Sequence, residues 1–142
     1  MKMTAGGFAI IRSNFGSLSQ DAVDNINLIV ETCEKYNLSY PQSAYVLATT
    51  AWETARTFKP IEEYGKGKGR KYGTWYTNSK GVKYGIAGSG GSTYLYSDYP
   101  HLYYGRGFVQ LTWFDNYKFA GEQLGIDLLH NPHLALNAKY AA

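Results

Sequence analysis

The sequence predicts a mainly α (α+β) single domain with a small β-hairpin and loop lobe. Three observations predict it. Apolar residues recur at helical spacing from residue 4 to about 56. A stretch rich in Gly, Tyr, Lys and Ser then runs from about 59 to 107, too glycine-rich for helices. Helical texture returns from about 108 to 142. With 142 residues, 44% hydrophobic and 18% charged, the composition is that of one globular domain.

A short helix is expected around Gly7 to Asn14. A longer one follows, because Ala22, Val23, Ile26, Ile29, Val30 and Cys33 keep the i, i+3, i+4, i+7 pattern of a half-buried helix. Ser19 suits its N-cap, Asp21 complements the dipole, and Asn37 suits its stop. The third helix is expected to begin near Ser39-Tyr40-Pro41, since Pro is tolerated in a first turn, and to run to Thr54 or Ala55. Ala44, Leu47, Ala48 and Ala51 form one stripe on it, and Val46, Thr50 and Glu53 another. Small residues on both sides predict a central, enclosed helix with Glu53 partly buried.

In the middle region, Lys71 to Tyr76 and Val82 to Ile86 flank Thr77-Asn78-Ser79-Lys80-Gly81, the pattern of a hairpin. Gly88 to Ser92 reads as a flexible loop, and so long a loop region is usually functional. Phe108 to Leu111 suits a short strand or an extended lead into a helix. Asp115 to Leu124 reads as a helix with Phe119 and Leu124 inward and Gly125 as its stop. Leu128 to Pro132 reads as a turn into a last helix.

The formal charge is +3, enough to favour anionic surfaces but below the density of a nucleic-acid binder. Lys66, Lys68, Arg70 and Lys71 alternate with glycines. A solvated loop is the commoner origin of such a run, and no Lys-Ser/Thr closes it as in a phosphate loop. The single cysteine, Cys33, excludes an internal disulfide, favours folding in a reducing compartment, and reads as a small buried hydrophobe. No signal peptide is expected, and no run of 18 apolar residues predicts membrane insertion. His101, His130 and His133 lack metal-ligand spacing, so neither a metal nor a cofactor is expected. No Gly-x-Ser-x-Gly is present.

The 14 Tyr and 3 Trp suit a surface that binds sugar rings. Tyr94, Tyr96, Tyr99, Tyr103 and Tyr104 are stacking candidates, half of them better read as packing under loops. Two segments carry the chemistry. Ala51-Trp52-Glu53-Thr54 sets a carboxylate near a helix end, and Tyr103 to Trp113 is an unusual glycine-aromatic-glutamine run. Glycosidic cleavage usually needs two carboxyl groups, one protonated and one ionised, flanking the bond. A carboxyl on an apolar helix face acquires the raised pKa of a general acid, which suits Glu53. Glu62 and Glu63 are both candidates for the second group.

Leu47-Ala-Thr-Thr-Ala-Trp-Glu53, Phe58-Lys-Pro-Ile-Glu-Glu63-Tyr64, Tyr103-Tyr-Gly-Arg-Gly-Phe-Val-Gln-Leu-Thr112, Asn116-Tyr117 and Gly125-Ile-Asp-Leu-Leu-His-Asn-Pro132 occur in this order. The set resembles the family 19 glycoside hydrolases, the chitinase-like group, and most of all its phage endolysin branch, from about Ala44 to Leu136. The resemblance implies a lysozyme-like catalytic domain over residues 1–142. It implies Glu53 as general acid, Glu63 ahead of Glu62 as base, and Thr112 as holder of the attacking water. Gln110, Asn116, Tyr104, Arg106 and Trp113 are then the substrate-binding candidates, with a purely structural role equally open to Arg106.

Two departures matter. Trp52 stands where many members have His, which is expected to dry the pocket of the acid. The family core also continues beyond the Asn-Pro helix, whereas this sequence stops at Ala142, implying a truncated chain or a more open cleft. The function expected is inverting hydrolysis of β-1,4 bonds in bacterial peptidoglycan by a monomer. It would be held in the host bacterial cytoplasm until released to the wall, without nucleic acid or membrane insertion. A chitinase and a non-catalytic wall-binding module are the alternatives.

Overall fold

The computed structural model describes residues 2–67, 70, 72, 74–77, 79, 80, 83–86 and 103–142. Its helices are α1 (Ala5–Phe15), α2 (Gln20–Lys35), α3 (Tyr40–Glu53), α4 (Phe114–Leu124) and α5 (Ala138–Ala141), with a 3-10 turn at Pro132–Leu136. Its strands are β1 (Ile61–Glu62), β2 (Thr74–Thr77), β3 (Lys83–Ile86) and β4 (Arg106–Gly107). Gly88 to Ser92, Tyr94, Tyr96, Tyr99, His101, Lys68 and Lys71 lie outside the described residues.

The local signals act as their chemistry predicts. Thr4 caps α1 by accepting the Gly7 N–H at 3.1 Å, and Ser19 caps α2 by accepting the Ala22 N–H at 3.2 Å. Asn37 ends α2 in the left-handed region, φ 55°, which asparagine tolerates. Gln42 Oε1 accepts both the N–H and the hydroxyl of Ser39 at 2.8 Å, fixing the start of α3.

The α2 stripe buries Ala22, Ile26, Ile29, Val30 and Cys33. Ala22 and Ile26 meet Phe8, Ala51 and Phe58, whereas Ile29 and Cys33 meet Phe108. A separate cluster of Tyr103, Tyr117, Leu128 and Ala135 lies under α4. Helix α3 is not enclosed, contrary to expectation. Thr50 and Ala51 are buried, but Ala44 and Ala48 are exposed and Tyr45 and Trp52 are 75% and 81% exposed. Small side chains permit close approach on any face, but α2 and the loop after α3 cover only one.

That loop is anchored by Phe58, 1% exposed, with Asn25 donating to its carbonyl at 2.8 Å. Buried Thr54 ties the same turn, donating to the Thr50 carbonyl at 2.7 Å and accepting the Phe58 N–H at 3.0 Å. Ala55, Arg56 and Phe58 all have positive φ, 50°, 66° and 51°. Left-handed backbone disfavours a β-carbon, so Ala55→Gly is expected to stabilise the fold by about 0.5–1 kcal/mol in chemical denaturation.

β2 and β3 pair antiparallel from Thr74↔Ile86 to Thr77↔Lys83, the expected hairpin. β1 pairs antiparallel with β4, Ile61 opposite Gly107 and Glu62 opposite Arg106. Phe108 to Gln110 is a turn, neither a strand nor a lead into a helix. Arg106 and Leu111 close it by exchanging backbone hydrogen bonds of 3.1 and 2.8 Å. On α4 the expected inward residues are reversed. Phe119 is 63% exposed and Leu124 43%, while Tyr117 and Gly121 are buried. Tyr117 wins the interior because its hydroxyl finds partners there, donating to the Tyr104 carbonyl at 2.7 Å. Gly125 caps α4 in the left-handed region.

Candidate active site

Glu53 is the last residue of α3 and is half-buried. Seven residues of anchored loop separate it from β1, so Phe58 and Thr54 fix the path between Glu53 and the Glu62–Glu63 pair. Trp52 projects into solvent, 81% exposed, and therefore does not dry the pocket of Glu53.

Glu63 is held on both carboxylate oxygens. The Gly105 N–H donates to Oε2 at 3.0 Å and the Tyr72 hydroxyl donates to Oε1 at 3.2 Å. The Glu63 N–H in turn donates to the Gly105 carbonyl at 2.7 Å, so backbone and side chain lock to one partner. A β-carbon at Gly105 would fall 2.5 Å from the Gln110 side-chain oxygen, so a larger residue there would displace the Gln110 amide.

Glu62 is held differently. The Tyr104 hydroxyl donates to its Oε1 at 2.7 Å, and Lys66 Nζ lies 3.7 Å from Oε2. The Tyr104 hydrogen bond, with help from the Lys66 and Arg106 charges, holds the Glu62 carboxyl below its ordinary range against the opposing effect of burial. A carboxylate held in this way is a weaker proton acceptor.

The turn after β4 brings the remaining candidates together. Gln110, φ 57°, donates to the Ile61 carbonyl at 3.2 Å and ties the turn to β1. The Thr112 hydroxyl donates to the Gln110 carbonyl at 3.4 Å, a long bond that leaves the oxygen able to accept. Asn116, one turn into α4, donates to the Thr112 carbonyl at 2.9 Å. Trp113 is 45% exposed and meets Tyr72 edge-on at 5.0 Å. Glu62, Glu63, Tyr104, Gln110, Thr112, Trp113 and Asn116 thus form one connected cluster. Among the described residues, no hydrogen bond joins Glu53 to it.

Arg106 and Tyr104 lie beneath this surface rather than on it. Arg106 is 4% exposed and Tyr104 8%. The guanidinium sits 3.6 Å over the Tyr104 ring and donates to the Tyr117 hydroxyl at 2.9 Å. Their hydrogen bonds run to Glu62, Tyr117 and the Tyr104 carbonyl, contacts that brace the cluster from below. Burial pushes the Tyr117 hydroxyl up to about 12, keeping it neutral as acceptor and donor. Sequence reasoning missed Tyr72, whose burial and contact with Glu63 push its hydroxyl up and keep it a donor. It stands in a glycine-rich stretch without periodicity, so no spacing could reveal it. Among the described residues no group of His, Cys, Asp and Glu could hold a metal ion, and no helix is long and apolar enough to cross a membrane.

The Glu62 arrangement gives a pH signature. Its folded pKa is lowered, so the stability it contributes is present above the ordinary carboxylate value of 4.5 and is lost as pH falls through the folded value. Tyr104→Phe removes the main cause. The stability difference between variant and wild type is expected to be full at neutral pH and to narrow below about 4.5, measured by urea melts across pH.

Residues 43–141 match the family model of class I chitinases, glycoside hydrolase family 19. The chain belongs to this family. A basic endochitinase B of Arabidopsis thaliana is 54% identical over 35 residues, 25% of this chain and 10% of that protein. An inactive chitinase-like protein 1 of Hevea brasiliensis is 59% identical over 32 residues, 22% of this chain and 10% of that protein. Among solved structures, a bacterial family 19 chitinase superposes with a TM-score of 0.56 at 26% identity, covering 94% of this chain and 63% of that one. The family 19 member described here thus spans under two thirds of that chitinase and has the expected mainly α, lysozyme-like fold.

Proposed function

We propose that this family 19 domain hydrolyses β-1,4 glycosidic bonds of bacterial peptidoglycan by an inverting acid/base mechanism, in the manner of an endolysin. The observation that carries the reading is the Glu63 carboxylate, oriented by the Gly105 N–H and the Tyr72 hydroxyl beside the Gln110–Thr112 turn. Glu53 is the general acid and protonates the leaving oxygen. Glu63 takes the proton of a water that the Thr112 hydroxyl holds, on the opposite face of the sugar. The water attacks the anomeric carbon as the glycosidic bond breaks, so the configuration inverts. That geometry needs the two carboxyl groups about 6.5–9.5 Å apart.

A net charge of +3 and the single cysteine support a cytosolically folded enzyme acting on an anionic wall. The second reading is hydrolysis of chitin, favoured by the names of the relatives, an endochitinase and a bacterial chitinase. Mass spectrometry of products from purified peptidoglycan and from chitin oligomers tests both. Saccharide fragments from peptidoglycan with inverted anomers by NMR are expected, and products from chitin alone would overturn the peptidoglycan assignment. The inactive relative makes a binding module the third reading, which Glu53→Gln separates from catalysis.

A further inference from the structure

The reading just given leaves one surface beside Glu53 without a role. Helix α3 carries two large aromatics on one exposed face, Tyr45 at 75% and Trp52 at 81% exposure. They are seven residues apart, two helical turns or roughly 10 Å along the axis. Trp52 immediately precedes Glu53 in the last turn of α3, so the two side chains leave neighbouring sectors of the same helix end, about 100° apart. An open depression of about 360 Å³ lies against the same face, lined by Ala51, Trp52, Ala55 and Arg56. The left-handed backbone at Ala55 and Arg56, φ 50° and 66°, turns the chain away from the helix axis there and helps shape the depression.

A tryptophan exposed to this degree buries little area in the fold, which leaves its ring face free to meet a ligand. A flat aromatic face next to a glycosidase acid suits a pyranose ring. A guanidinium in the same depression suits a carboxylate, which it recognises by a forked pair of N–H donors. Chitin carries no carboxylate. Peptidoglycan carries carboxylates on the peptide attached to alternate sugars.

We infer that Trp52 and Arg56 form a subsite of the Glu53 cleft for the peptide-bearing sugar of peptidoglycan, the ring stacking on Trp52 and a stem carboxylate pairing with Arg56. Tyr45 extends the same face by one further sugar contact. The inference rests on the proposed glycan hydrolysis and specifies which glycan the site prefers.

Binding and turnover separate its failure from that of the hydrolysis reading. Glu53→Gln protein, with and without Trp52→Ala, Arg56→Gln or Arg56→Lys, is sedimented with insoluble peptidoglycan. Parallel samples use peptidoglycan whose carboxylates are blocked by carbodiimide and ethanolamine, and chitin. Trp52→Ala is expected to weaken binding to all three at least fivefold. Arg56→Gln is expected to weaken binding to native peptidoglycan about fivefold more than to blocked peptidoglycan or chitin, with Arg56→Lys recovering most of the loss. Equal effects of Arg56→Gln on all three, or none on any, would overturn the subsite. Wild-type protein that cleaves neither polymer yet shows this binding pattern would overturn the hydrolysis reading and leave the subsite standing.

Discussion

Glu53→Gln is expected to lower the hydrolysis rate by about a thousandfold while leaving the circular dichroism and melting temperature near those of the wild type. The amide keeps the size and the polar character of the side chain but has no proton to give to the leaving oxygen. General acid catalysis is worth typically 10²–10⁴ in rate, so a loss within about that range identifies the acid. The residue is half-buried at a helix end, and its substitution leaves the Phe58 anchor and the Glu63 clamp untouched. Lysis that continues at the wild-type rate would sink the mechanism. The same substitution separates an enzyme from a wall-binding module, because an enzyme loses hydrolysis while its binding to insoluble wall survives, and a binding module has no hydrolysis to lose.

Phe58→Ala is the second large effect, and it falls on stability. Phe58 is 1% exposed and packs with Phe8, Ala22, Ile26 and Ala51. Removing a buried phenyl ring costs about 3–5 kcal/mol, from lost transfer energy and the cavity left behind. The expected result is a large fall in the urea midpoint with little change in slope. Phe58 also lies between Glu53 and Glu63 in the chain. Its left-handed backbone, φ 51°, is held by Thr54 and by Asn25. Activity is therefore expected to fall at temperatures where the variant is still folded, because the separation of the two carboxyl groups is no longer fixed. Phe58→Leu, which keeps most of the volume, is expected to lose less than half as much stability.

Much of the helical frame was legible because its causes are local. The α2 stripe, its Ser19 cap and its Asn37 stop need only periodicity and capping chemistry, and all three appear where the residues predict. The β2–β3 hairpin was readable for the same reason. On α4 the period was right but the phase was not. Phe119 and Leu124 are more hydrophobic than Tyr117, yet Tyr117 is buried because Tyr104 and Arg106 offer its hydroxyl partners. Hydrophobicity ranks side chains one at a time, whereas burial depends on what waits across the interface. The enclosed α3 failed similarly, since small residues say that a neighbour can approach, not that one is present.

The sequence by itself determined the family, through Tyr103 to Thr112 and the ordered motifs around it, and it singled out the carboxylates from which the proposed acid and base are drawn. Only the tertiary structure decided which partners hold them. The Gly105 N–H and Tyr72 hydroxyl reach Glu63, the Tyr104 hydroxyl reaches Glu62, and Arg106 lies over the Tyr104 ring. Each of those hydrogen bonds joins residues far apart in the chain, or in the case of Tyr72 a residue in a stretch with no pattern. A hydrogen bond depends on distances that the order of residues does not contain, and those distances set which partner holds each carboxylate.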